Sequence, residues 1–168
     1  SPAQGRAAAA TTHGSPAWRA AVHAGVEEYL KLSAAFGRVQ QDDRPRDFGP
    51  LVAAAGELTR AAADEGQRQL ARGVLSATES LASAGRSLGE QREAFKGVSA
   101  GVIALVEKSP PSRAVAGQDG KLFVLYCSMA DGQWLQNTGE KANPYYAKGM
   151  KTCAELKGTI EAADTAAH

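Results

Sequence analysis

Apolar positions recur at helical spacing through the first two thirds of the chain. Val22, Val26, Tyr29, Leu30, Ser33 and Phe36 share one face, while Arg19, Glu27, Glu28 and Lys31 mostly face away. Ser15-Pro16 opens this helix well, because serine can accept a first-turn amide and proline leaves none unpaired there. The pattern predicts an end before Asp42-Asp43-Arg44-Pro45, a polar turn containing proline. Asp47 is the expected cap of a second helix carrying Phe48, Leu51, Val52, Ala55, Leu58 and Ala62 on one side. The periodicity falters around Asp64-Glu65-Gly66, resumes with Leu70, Val74, Ala77 and Leu81, and breaks at Gly85. A last helix carries Leu88, Gln91, Phe95, Val98, Val102, Leu105 and Val106 and stops before Ser109-Pro110-Pro111. Four amphipathic segments with short connections predict a mainly α fold, an antiparallel four-helix bundle.

The character changes after Pro111. Gln118-Asp119-Gly120 is turn chemistry, and Lys121-Leu122-Phe123-Val124-Leu125-Tyr126-Cys127 is a compact β-prone run. The next stretch, through Trp134-Leu135-Gln136 to Asn143-Pro144, is dense in Gly, Asn, Asp and Thr. A short helix is expected at Tyr145–Met150, and Glu155–Ile160 is expected to return as a strand beside Leu122–Cys127. That pairing puts Cys127 and Cys153 at the same end of two strands. The expected domain therefore covers 15–161, with a small C-terminal β-hairpin or loop segment at 112–161. A leader at 1–14 and a tail at 162–168 flank it; the leader is small and polar without periodicity.

A chain of 168 residues fits one domain and can bury a core without disulfides. Its 19 basic and 18 acidic side chains are well mixed, so no basic stripe argues for nucleic acid and no acidic block for a solvating tail. Many alanines and few aromatics favour helices packed closely through small residues. No apolar run approaches the length needed to cross a bilayer. Ala7–Ala10 is too short for the apolar region of a signal peptide, and Thr-Thr-His-Gly follows it. The opening Ser-Pro-Ala-Gln-Gly reads as a mature or excised N-terminus from which an export signal is missing. Two cysteines alone do not fix the redox compartment.

The sulfur atoms change the picture most. Both cysteines and both methionines lie between 127 and 153, as the pairs Cys127/Met129 and Met150/Cys153, with Trp134 between them. Thiolate and thioether are soft ligands that favour Cu(I). Cys127 and Met129 share a face if the strand extends that far, and Met150 and Cys153 share one on a helical turn. Cys127, Met129, Met150 and Cys153 are therefore the candidate metal ligands, with Trp134 as a cation–π cover. Two plainer readings stay open. A Cys127–Cys153 disulfide would close a loop of about 25 residues and contribute roughly 3–4 kcal/mol by the chain-entropy argument. The methionines could equally be core fillers. A cystine offers no thiolate, so ligation and disulfide exclude each other at any moment, though they can alternate with redox state.

Other chemistry is thin. His13 and His168 lie in the expected tails and His23 on the first helix, all read as solvated. There is no Cys-x-x-Cys-His haem motif, zinc spacing or His-Glu-x-x-His, and a non-covalent haem would have only His23 and the two methionines as axial ligands. No nucleophile elbow, P-loop or dinucleotide fingerprint is present, and no histidine is placed as a base for Cys127. Glu27-Glu28, Asp42-Asp43 and Asp64-Glu65 read as solvated pairs. The chain is not expected to be an enzyme. Asn143-Pro144-Tyr145-Tyr146 reads as a turn with a packed tyrosine or, less often, as aromatics presented to a partner.

The order Tyr126-Cys127-Ser128-Met129-Ala130, Trp134-Leu135-Gln136, Asn143-Pro144-Tyr145-Tyr146, Met150 and Cys153 resembles an uncharacterised domain family. Its members occur as free exported proteins and at the C-terminus of some heavy-metal efflux membrane-fusion adaptors. Tyr29-Leu30-Lys31-Leu32 and Arg92-Glu93-Ala94-Phe95-Lys96-Gly97-Val98-Ser99 resemble that family's helices, so the similarity spans about 20 to 161. The resemblance implies a periplasmic or otherwise exported helical domain linked to copper or related metals, without known catalysis, and the same four sulfur residues as the positions of interest. Two departures stand out: Ser128 where the family usually has proline after the cysteine, as Cys-Pro-x-Met-like or Cys-Pro-Met, and Ala154 where it often has glycine. Proline would fix the backbone there and serine leaves it freer, which bears on metal affinity. The expected function is copper capture, handover or efflux with an efflux or metallochaperone partner. The alternative is a disulfide-stabilised interaction domain that docks a protein through the bundle or the Trp134–Tyr146 surface. An electron-transfer copper–thiolate centre is a third reading.

Overall fold

The computed structural model describes residues 14–38, 46–85, 87–146 and 153–163. The chain is mainly helical, with a small antiparallel sheet. The helices are α1 (Pro16–Arg38), α2 (Gly49–Ala61), α3 (Glu65–Ala82), α4 (Leu88–Lys108) and the single turn α5 (Arg113–Ala116). The strands β1 (Lys121–Cys127), β2 (Gly132–Gln136) and β3 (Glu155–Glu161) follow. No helix among the described residues is long and apolar enough to cross a membrane.

Helix ends follow their capping chemistry. Ser15 Oγ accepts the Trp18 amide at 3.1 Å, as the Ser-Pro opening predicts. Asp64 and Ser87 do the same for α3 and α4, accepting from Gln67 and Glu90 at 2.8 and 3.1 Å. The second helix starts later than expected. Asp47 accepts the Gly49 amide at 2.9 Å in a local turn, and Phe48 takes the cap position with its ring buried.

α1 packs on α2 and α4, α2 on α3, and α3 on α4. Trp18, Val22, Val26, Tyr29 and Phe36 from α1 meet Phe95, Val98, Val102, Leu105 and Val106 from α4 in one continuous core. Phe95 is its hinge, stacked on Tyr29 at 5.2 Å and tilted against Phe36 at 4.9 Å. The outer helix α3 buries only a narrow stripe, Ala71, Val74, Thr78 and Leu81. It can approach closely because Gly101 has no side chain: a Cβ there would stand 3.4 Å from the Gly73 carbonyl oxygen and Val74 Cα.

The sheet order is β2-β1-β3, all antiparallel. The expected pairing of β1 with the returning strand is present, with Lys121 opposite Glu161 and Tyr126 opposite Glu155. The added feature is β2, so the C-terminal part is a three-stranded sheet and not a hairpin alone. Asp131, at φ 52, turns the chain from β1 into β2. Asp tolerates that left-handed backbone better than most residues. β2 packs against α4 and α1, burying Trp134 and Leu135 completely, while β3 forms the exposed edge. Of the helix expected at Tyr145–Met150, Tyr145 lies in a turn and 147–150 fall outside the described residues, as do most of the leader and tail.

Candidate thiol site at the end of the sheet

Cys127 ends β1 opposite Gly132, and the β1–β3 register brings Cys153, two residues ahead of Glu155, to the same end. The two sulfurs stand 2.8 Å apart. Both are free thiols; Cys127 is buried and Cys153 partly exposed. Residues 26 apart in the chain thus meet where β1 and β3 pair.

The turn after β1 does something the alternation of strand faces does not predict. The strand stops at Cys127, so Met129 lies in the turn and does not share a strand face with Cys127. Its side chain is 64% exposed, which also removes it as a core filler. The turn offers its amides instead. Ala130 N–H points to Cys127 Sγ at 3.4 Å, the Met129 amide serves both sulfurs, and the Ser128 amide serves Cys153. Ser128 therefore supplies a donor that proline, lacking an N–H, could not.

These donors set the ionisation. Burial alone would raise the Cys127 thiol, but Cys153, the Ala130 amide, the Asn143 side chain and the Met129 amide together outweigh it and hold the thiol below its ordinary value. Cys153 moves the other way: the neighbouring Cys127 sulfur raises it most, then burial, partly offset by the Met129 and Ser128 amides. The first proton leaves the pair easily and the second is held between the sulfurs, so the two titrate as one unit.

Asn143 is the positioning residue that the motif concealed. It is fully buried, donates from Nδ2 to the Cys153 carbonyl at 2.9 Å, and accepts the Tyr145 amide at 2.8 Å. The Asn-Pro turn is legible in sequence; that its side chain serves both cysteines is not, because those contacts span ten and more residues. Tyr145 packs in the core, as the turn-with-packed-tyrosine reading expects. Its hydroxyl donates to the Gln133 carbonyl at 2.5 Å and stands 3.2 Å from Ser99 Oγ, which itself meets Tyr29 at 2.7 Å. Gly132 makes room for this ring, since a Cβ there would lie 2.8 Å from it. Arg92 donates to the carbonyls of Pro144 and Phe36 at 3.0 and 2.8 Å, tying the turn to the end of α1.

The remaining candidates divide clearly. Trp134 is buried in the core, its indole N–H on Gln136 at 3.0 Å and its ring edge-on to Tyr145. Met150, His13 and His168 lie outside the described residues. His23 is half-buried, with Ser112 Oγ 2.7 Å from Nδ1 and Glu27 3.4 Å from Nε2. Among the described residues no three His, Cys, Asp or Glu side chains converge. Beside the thiols, Met129, Ala130, Tyr145, Tyr146, Arg92 and Lys96 line an open surface groove. The chain matches no protein-family profile, and no curated protein or solved structure shows significant similarity to it.

Proposed function

We propose that this chain is an extracytoplasmic binding module that captures Cu(I) at the Cys127–Cys153 dithiol and passes it to a partner in copper efflux or trafficking. The observation that carries this reading is the convergence of two free thiols beneath amide donors that favour the thiolate. Two thiolates with the exposed Met129 thioether at the rim form a soft donor set suited to Cu(I), and Met150 is the fourth expected member. Thiolates sharing an ion at about 2.3 Å each stand roughly 3.7 Å or more apart, so the sulfurs spread on loading. Cys153 lies just ahead of β3, outside the ladder, and is the one able to give. The helices, read as an antiparallel four-helix bundle, serve as the rigid support. Met129 at the surface suits ligand exchange with an incoming partner.

The test is anaerobic Cu(I) titration of reduced protein against a chelator of known affinity. Wild type should bind far more tightly than Cys127→Ser/Cys153→Ser, and Met129→Ala/Met150→Ala should lie between them. Binding by wild type no tighter than by the cysteine-free variant sinks the proposal. The close approach of the sulfurs favours one second reading, a permanent disulfide in a domain that docks a protein partner. Mass spectrometry of native protein separates them, because a quantitative disulfide that resists mild reductant supports the second.

A further inference from the structure

The sulfur geometry carries a step beyond ligation. We propose that Cys127 and Cys153 are an ordered thiol–disulfide exchange pair, in which Cys153 attacks an incoming low-molecular-weight disulfide and Cys127 resolves it, closing the capture site. The inference rests on the same dithiol as the copper reading, but not on copper.

Three observations set the order. The sulfurs at 2.8 Å are already inside van der Waals contact, and closing to a bond of about 2.05 Å needs less than an ångström of movement. Cys127 is 0% exposed at the end of a central strand, packed with Trp134 and Tyr145 in the core, so an external disulfide cannot line up with its sulfur. Cys153 is partly exposed and lies outside the β ladder. Exchange requires access as well as a thiolate, and of the two residues only Cys153 reaches the surface.

The chemistry balances. With the shared proton on Cys127, the Cys153 thiolate attacks one sulfur of RSSR; that S–S bond breaks, and RS⁻ leaves and takes up a proton. Cys127 then attacks Cys153 Sγ in the mixed disulfide, forming the Cys127–Cys153 bond and expelling the second RS⁻, which is also protonated. The protein loses two electrons and two protons, and RSSR becomes two RSH. Ring closure removes both thiolates, so the oxidised domain should hold no Cu(I) at this site.

Oxidised glutathione is the probe. The reduced full chain is incubated with it, quenched with acid and weighed by mass spectrometry. Wild type should lose two hydrogens without accumulating an adduct. Cys127→Ser should accumulate a glutathione adduct on Cys153, while Cys153→Ser should form its Cys127 adduct at least about tenfold more slowly. In denaturing urea the two single variants should react at similar rates, which shows that the folded structure imposes the order. Equal rates in the folded variants overturn the proposal, as does a wild type that stays reduced or stops at the adduct. If either serine variant fails to fold, Cys127→Ala and Cys153→Ala take its place under the same criteria. Ordered exchange without Cu(I) binding would refute the copper reading alone; Cu(I) binding with unordered exchange would refute this inference alone.

Discussion

The helical layer and the sheet end hold themselves together in opposite ways. Between α1 and α4 the work is done by apolar area: Phe36, Phe95, Val98 and Val102 interlock with hardly a polar atom among them. At the sheet end the organisers are polar: Asn143 and the amides of Ser128, Met129 and Ala130 surround two sulfurs. The first kind of order tolerates conservative repacking and loses stability gradually with volume. The second depends on individual donors and acceptors, each costly to leave unpaired. Tyr145 belongs to both regions, with its ring near Phe95 and its backbone on Asn143.

The sharpest way to break the contrast is Phe95→Ala. Removing the ring that joins Tyr29, Phe36 and Tyr145 should cost about 3–5 kcal/mol in urea unfolding and unsettle both regions together. Tyr29→Phe tests a buried polar thread through the apolar layer. Its hydroxyl accepts the Leu135 amide at 3.1 Å and meets Ser99, so its loss should cost about 1–3 kcal/mol.

That variant also carries a pH signature. Burial raises Tyr29 from 10.0 to about 12, against smaller opposing effects from its hydrogen bonds to Ser99, Leu135 and Ser33. The folded state keeps the proton that the unfolded state releases above pH 10. The associated stability is therefore complete below pH 10 and lost as pH rises through about 12, a fall of up to roughly 3 kcal/mol. The gap between wild type and Tyr29→Phe should narrow across that window.

Asn143→Ala tests the sheet end, with an expected loss of about 1–3 kcal/mol and a Cys127 thiol that titrates higher, measured by the pH dependence of alkylation. Ser128→Pro should raise the Cys153 titration further, because it deletes one donor to that sulfur. Smallest of all in stability is Met129→Ala, within about 0.5 kcal/mol for so exposed a side chain, although Cu(I) affinity should fall. A large stability loss there would mean that Met129 is packed after all.

How much of this was legible in the chain follows the same division. Periodicity marks all four long helices, and the Ser15 cap is readable because it acts within three residues. The caps at Asp64 and Ser87 are not among the expected ones, and Phe48 stands at the cap position expected of Asp47, one residue away. β1 and the returning β3 are also readable from their apolar runs. β2 is hidden because Gly132–Gln136 is five residues long inside a turn-rich stretch and takes its stability from α4 and α1. The convergence of Cys127 with Cys153 is legible once the two strands are paired. The role of Met129 is not: strand alternation places it beside Cys127, whereas the turn at Asp131 swings it outward and presents backbone amides in its place.

The two tryptophans have a practical consequence. Trp18, in α1, is anchored by its indole N–H to Ser109 at 2.9 Å, and Trp134, in β2, is anchored to Gln136 beside Tyr145. Each region therefore has its own optical gauge. Single-tryptophan variants would report separately on the helices and on the sheet, so that loosening at the thiol end could be watched by fluorescence while the rest of the molecule stays dark.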